Sequence, residues 1–269
     1  MKYFTPFHSS KVFQIKNIIY FTNKNRKTER KGGTTTLNNA KVFELRVKLF
    51  LLQDIELNNL QIRLSEFIDK VFQDNEQWLE YHNINTYKSY TFSGLHPIEK
   101  SHVYKKENIY TIIVRTTRYE LANHFQKELP HMYTGFIKGL TCEVKMLPKK
   151  FLEEIYTLTP AIMKNDTGYW RGTLKITDFE KGLQENLIKK YKTRYNVEVD
   201  ESHQIYTYLE FRNKYPISTN YKNVKLLGDK ICLKIADNEL AQELAYFALG
   251  EGLLSMNARG FGFANYRWL

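Results

Sequence analysis

Seven histidines are the residues of this chain best suited to move a proton near neutral pH, and one stands apart by its setting. His82 closes the helical segment Trp78-Leu79-Glu80-Tyr81-His82 and precedes the strand-like run Lys88-Ser89-Tyr90-Thr91-Phe92-Ser93. A helix end holds an imidazole at the surface, where its simplest role is to meet the negative end of the helix dipole. The others have plainer settings. His8 lies in a polar N-terminal stretch, His96 precedes a proline, and His102 sits at a strand edge. His124 and His131 lie on or just after a helix stopped by Pro130, and His203 lies in a polar turn. No H-x-x-x-H, paired D-x-D or Cys/His cluster suggests a metal, and no Ser-His-Asp signature is present. Neither metal nor cofactor is therefore expected. What remains is proton transfer by an imidazole with charge stabilisation by a nearby lysine or arginine, chemistry that suits a substrate carrying its own nucleophile.

The last twenty residues are the second source of chemistry. Gly250, Gly252, Gly260 and Gly262 fall in two G-x-G pairs, with Arg259 against the second and an aromatic strand after it. Without a Cβ, glycine lets backbone N–H groups approach an anion and makes positive φ cheap. Such a loop between a helix and a strand can cradle a phosphate backbone, with Arg259 adding charge. The plainer reading is a helix C-cap at Gly250 and a bulge or hairpin at Gly260 and Gly262.

Charge points the same way. The net charge of +11, with 19 tyrosines and 17 phenylalanines, suits a nucleic-acid binder, since cations meet phosphates and rings stack on bases. The charge is uneven, however. Residues 1–40 carry eight Lys/Arg against one Asp/Glu, leaving only +4 for residues 41–269. Local groups such as Lys105-Lys106, Arg115/Arg118 and Lys189-Lys190-Tyr191-Lys192 therefore matter more than the total. No apolar run reaches the roughly 18–20 residues of a membrane span. Nothing at the N-terminus reads as a signal peptide, and Cys142 and Cys232 read as free buried thiols. A soluble cytoplasmic protein is expected.

Periodicity supplies the elements that must hold these groups. Residues 1–40 are polar and turn-rich and read as a basic, mobile extension. Val42–Leu52 alternates as a strand, and Leu60, Leu64, Phe67/Ile68 and Val71/Phe72 follow a helical period. Asp74 and Gln77 resemble a capping box opening the helix that ends at His82. Strands are expected at Lys88–Leu95, Val103–Thr116 and Phe136–Met146, with a helix opened by Thr117 and Glu120 between the last two. That order is β-α-β-β-α-β, the ferredoxin-like arrangement. It recurs through Glu154–Met163, a helix opened by Thr177, strands near Ile205–Phe211 and Val224–Ile235, a helix at Asn238–Leu249 and a terminal strand. The expected fold is α+β, with two tandem ferredoxin-like (RRM-like) domains at 41–148 and 149–269 and a C-terminal glycine-rich loop.

The spacing of the two glycine pairs resembles the C-terminal signature of the Cas6 family, the CRISPR RNA-processing endoribonucleases of the RAMP superfamily. Two further stretches share the resemblance. Tyr90-Thr91-Phe92-Ser93-Gly94-Leu95 is similar to the family's F-T-[FY]-S strand, and Tyr156-Thr157-Leu158-Thr159-Pro160-Ala161-Ile162 to the strand opening its second domain. The resemblance implies an RNA path between the domains, lined by Gly250, Gly252, Arg259, Gly260 and Gly262. It implies that His82 is catalytic and that Lys88, six residues later, is the transition-state cation. The implied partner is the repeat of a precursor CRISPR RNA, with other effector subunits and a homodimer as further possibilities. The implied reaction is a metal-independent cut leaving a 2′,3′-cyclic phosphate and a 5′-hydroxyl. Where some members carry a tyrosine in the preceding helix, this chain has Phe67, which leaves Tyr81 or Tyr87 to replace it. Two alternatives stay open: a non-catalytic RAMP-type subunit, and a generic RRM whose aromatic motif would be Arg259-Gly260-Phe261-Gly262-Phe263.

Overall fold

Alternating apolar residues build the first sheet. The computed structural model describes residues 40–269 apart from Asp74, Thr167 and Asn223. Residues 1–39, which hold nearly all of the expected extension, lie outside the described residues. Ala40 already belongs to the folded body, buried and donating its N–H to Glu243 at 2.7 Å.

In chain order the strands of the first half are β1 (Phe43–Leu51), β2 (Ile55–Glu56), β3 (Thr91–Phe92), β4 (Val103–Tyr104), β5 (Ile109–Thr116) and β6 (Ile137–Met146). Its helices are α1 (Leu60–Asp69), α2 (Glu76–Asn83) and α3 (Tyr119–Glu128). The second half holds β7 (Leu152–Thr157), α4 (Ile176–Tyr195), β8 (Tyr206–Phe211), β9 (Ile217–Tyr221), β10 (Val224–Gly228), β11 (Ile231–Ile235), α5 (Glu239–Glu251) and β12 (Ala264–Trp268). The architecture is mixed α and β with several antiparallel sheets. Two of them are four-stranded, ordered β3-β5-β1-β6 and β12-β7-β11-β8, and two are two-stranded, β2-β4 and β9-β10. Each four-stranded sheet covers its own apolar core, one around Leu45, Val47 and Leu64 and the other around Ile155, Leu187 and Leu244.

Several expectations shift in detail. The Lys88–Leu95 segment pairs only at Thr91–Phe92, and a turn divides Val103–Thr116 into β4 and β5. The β9–β10 hairpin replaces the first part of the expected Val224–Ile235 strand. Asn75 caps α2 by accepting the N–H of Trp78 at 3.1 Å, and Asp74 lies outside the described residues. Thr117 does not cap α3 with its side chain. Its hydroxyl bonds Glu251 instead, a buried carboxyl on α5 that needs a hydrogen-bond partner.

Polar and backbone contacts join the two halves. Arg115 of β5 is buried with Glu44 of β1, its Nε 2.9 Å from the carboxylate, and its Nη1 donates to the Ala264 carbonyl of β12 at 2.6 Å. The segment after α5 makes the closest approach. Gly250 is not a helix cap but lies within α5, which runs to Glu251, and a Cβ there would stand 2.8 Å from Thr117. Gly260 (φ +78°) lies on the Phe92 ring, where a Cβ would stand 2.4 Å from the ring edge. These glycines let the end of α5 pack against the end of β5 and the loop after it seat on β3. The Gly260→Ala variant is expected to lose about 1–3 kcal/mol of stability in urea unfolding, from overpacking and strained φ together. Wild-type stability in that variant would mean that Phe92 gives way freely.

Candidate active site

The C-terminal turn of α2, the loop after it, α4 and the segment 254–259 enclose a cleft of about 580 Å³. His82, Lys88 and Arg259, distant in sequence, all line it. Gly250, Gly252, Gly260 and Gly262 do not. Their backbones are turned into the protein, Gly252 O to Lys190 and Gly260 O to Gln61. Of the described histidines only His82 reaches the cleft. His124 is committed elsewhere, bonded to the Val71 carbonyl at 2.7 Å and stacked on Trp78.

His82 occupies the last turn of α2 and stacks on Phe72, ring centroids 5.2 Å apart. Its Nδ1 lies 3.8 Å from Asp69 Oδ1 at the end of α1. That oxygen is buried and has no hydrogen-bond partner, whereas Oδ2 receives Arg259 Nη1. Asp69 thus stands between the imidazole and the guanidinium. Burial lowers the His82 pKa below the ordinary histidine value, with Asp69 opposing and Arg259 and Lys88 adding to the effect. The imidazole is held toward its neutral form.

Lys88 Nζ donates to the carbonyls of Tyr81 and of Ile84, the latter at 2.6 Å. These are carbonyls of the α2 C-terminus and the residue capping it, a favoured place for a cation. An ammonium has three protons, so one remains for a ligand. Burial and the nearby Arg259 both lower its pKa. Arg259 itself is lowered by burial and raised by Asp69, with a net rise, so it stays charged.

Two buried groups that the sequence did not single out shape this cleft. Lys190 of α4 is fully buried, its Nζ 3.0 Å from Gly252 O, 2.6 Å from Leu254 O and 2.6 Å from Asn257 Oδ1. Burial pushes its pKa down to about 7, while the three oxygens favour the charged form. Glu251 is buried beneath the loop before Lys88 and receives the hydroxyls of Tyr87 and Thr117. Burial raises its carboxyl well above the ordinary range. Tyr87 is thereby fixed next to Lys88.

Phe67 is wholly buried in the first core and offers the cleft nothing. Tyr81 accepts the N–H of Ser89 at 3.0 Å and does not line the cleft, and the Tyr87 hydroxyl donates to Glu251, so neither expected substitute presents its proton there. Tyr221 at the end of β9 does line the cleft, a residue missed because its hairpin was not foreseen. Lys88, Lys164, Lys189, Lys190 and Arg259 make the lining strongly cationic, and among the described residues no Asp or Glu lines it. Among the described residues no group of three His, Cys, Asp or Glu is placed to hold a metal ion, and no helix is long and apolar enough to cross a membrane.

No protein-family model and no curated protein matches the sequence. Solved structures do. A CRISPR-associated protein Cas6 aligns over 84% of this chain and 99% of its own, at 20% identity and a TM-score of 0.61. This chain has a Cas6/RAMP-type fold. A RAMP protein described as binding different RNA substrates aligns over 84% of this chain and 99% of its own, at 16% identity and TM-score 0.63. Cas6 of Thermus thermophilus aligns over 88% and 100%, at 12% identity and TM-score 0.52. Within this Cas6-type fold, His82 provides its own test of the cleft's electrostatics. Followed by NMR, its pKa is expected to fall further in Asp69→Asn and to rise in Lys88→Ala. Shifts of the opposite sign would mean that these charges do not face the imidazole.

Proposed function

We propose that this chain is a metal-independent endoribonuclease that cuts precursor CRISPR RNA within its repeat. The observation that carries the reading is a cationic cleft, without lining carboxylates among the described residues, that collects His82, Lys88 and Arg259. The two halves are read as tandem ferredoxin-like domains, 41–148 and 149–269. Both four-stranded sheets support this, since each places its last strand beside its first and its third between the first and second.

In the proposed reaction the 2′-oxygen attacks the adjacent phosphorus as its proton leaves, and the bond from phosphorus to the 5′-oxygen breaks. The departing oxygen takes a proton, giving a 2′,3′-cyclic phosphate and a 5′-hydroxyl. His82 carries one of the two transfers. Its lowered pKa keeps the free imidazole able to accept, which supports the role of base toward the 2′-OH. Arg259 and the third proton of Lys88 would face the charge that develops on the phosphoryl oxygens. Gly250, Gly252, Gly260 and Gly262 serve RNA binding indirectly, by the close packing that brings Arg259 to the cleft. Such a protein acts in the cytoplasm, where the transcript is made.

A second reading is a non-catalytic RNA-binding subunit of a CRISPR effector complex. The engagement of Lys88 with the α2 carbonyls favours it, because a lysine can be kept for that capping alone. One assay separates the two. In EDTA the wild type is expected to cut repeat RNA once and leave a cyclic phosphate. His82→Ala is expected to be slower by about 10²–10⁴-fold with binding retained. Full activity of that variant would move the chemistry to another residue, and tight binding without cutting by wild type would favour the subunit.

A further inference from the structure

The last residue of α1 has half of its carboxylate unused. Asp69 Oδ2 receives Arg259 Nη1, while Oδ1 is buried and accepts no hydrogen bond. Leaving a buried acceptor unmet costs free energy, and more when it is charged. Its position adds to the cost, because a carboxylate on the last turn of a helix meets the negative end of the dipole. Oδ1 is closed to solvent, so a neighbouring side chain must satisfy it. His82 Nδ1 stands 3.8 Å away. Beyond Asp69 the chain tightens into a 3-10 turn, Lys70–Phe72, whose last residue stacks on the His82 ring with planes 18° apart. Asp69 and Phe72 are three residues apart and so stand nearly in line along that turn. One short stretch thus supplies both the surface that fixes the plane of the imidazole and an acceptor at its Nδ1 edge. Asp69 does not line the cleft and His82 does, so Nε2 is the nitrogen left to face a ligand.

We propose that Asp69 is a positioning residue of the reaction: its Oδ1 accepts the Nδ1 proton of neutral His82, which leaves Nε2 as the atom that takes the 2′-OH proton. The role rests on the reading of the cleft as the site of cleavage, and the contact does not. In a neutral imidazole the partner of one ring nitrogen decides which of the two keeps the proton. A gap of 3.8 Å is longer than a hydrogen bond, and such bonds often tighten only when the ligand is in place. As the 2′-oxygen bonds to phosphorus its proton passes to Nε2. The bond from phosphorus to the 5′-oxygen breaks, and the departing oxygen takes a proton from water. The imidazolium keeps its Nδ1–H on Asp69 and later returns the Nε2 proton to solvent. Lys88 from the loop after α2 and Arg259 from segment 254–259 oppose the charge on His82, and Asp69 favours it. Tyr90 and Tyr221 also lie near Asp69, and burial keeps both phenols neutral.

Proton–nitrogen correlation NMR of the His82 ring in free wild type, at a pH above its pKa, tests the contact without RNA. The proton is expected on Nδ1, with Nε2 bare. Asp69→Asn keeps the shape of the side chain and is expected to reverse this. Arg259 has only donors, so it can be met only by the amide oxygen, which turns the amide NH2 toward Nδ1 and moves the imidazole proton to Nε2. Cleavage of repeat RNA by this variant should be slower by about 10²-fold or more in kcat, with KM little changed. Its kcat/KM should also rise with pH at a lower midpoint, because a charge that favours the imidazolium is gone. A merely structural role for Asp69 would lower the plateau and leave both the tautomer and the midpoint in place. A wild-type proton on Nε2, or an unchanged tautomer in Asp69→Asn, overturns the contact even if RNA is cut. The assigned tautomer without any cutting by wild type overturns the role in the reaction and leaves the contact standing.

Discussion

The buried ammonium of Lys190 is the contact on which the cleft depends. The segment from Gly252 to Asn257 has only scattered backbone bonds, such as Ser255 N–H to Ile162 O, and the carbonyls of Gly252 and Leu254 take their donors from elsewhere. Lys190 supplies three from a single atom. Burying a charge is costly, and close, well-aimed oxygens are what offset that cost. Once the loop is held, Gly260 settles on Phe92, Arg259 meets Asp69, and the two halves share one wall. Arg259 and His82 come from different halves of the chain, and the ammonium that holds the loop carrying Arg259 comes from a third element, α4.

The same arrangement sets the electrostatics. Among the described residues the lining cations sit without lining carboxylates, and Arg259 lowers both Lys88 and His82. Asp69 behind them is the counterweight, holding Arg259 charged and standing near the imidazole. A bound phosphate would relieve this repulsion, and by linkage its binding and the protonation of His82 and Lys88 favour each other. The cleft is thus a site whose proton affinity rises when its ligand arrives, which is useful where an imidazole must first take a proton and then hold it.

Much of this was legible in the residues. Strict alternation showed β1, the four-residue spacing of Phe179, Leu183, Leu187 and Tyr191 showed α4, and the position of His82 at a helix end put it at a surface. The glycine pairs marked the loop correctly but not its purpose. Spacing shows that a backbone is unusual without showing whether an anion or a phenyl ring stands against it, and at Gly260 it is Phe92. The run Lys189-Lys190-Tyr191-Lys192 looked like one basic cluster, yet it has three fates: Lys189 lines the cleft, Lys190 clamps the loop, and Lys192 pairs with Glu198 and Glu201. Only a tertiary partner separates neighbours of identical type. Asp69 and Glu251 were hidden for the same reason. Each is an ordinary helix carboxylate until the loop from the other half lies against it.

The central claim is that RNA is cut where His82, Lys88 and Arg259 meet. A crystal structure with repeat RNA carrying a single 2′-deoxynucleotide at the cut tests it most directly, because the attacking oxygen is absent and the bound state persists. The account predicts a phosphate in this cleft, with His82 within about 2.6–3.2 Å of a reacting oxygen or of the position of the missing 2′-oxygen. A scissile phosphate bound elsewhere on the protein, with this cleft empty, would contradict it.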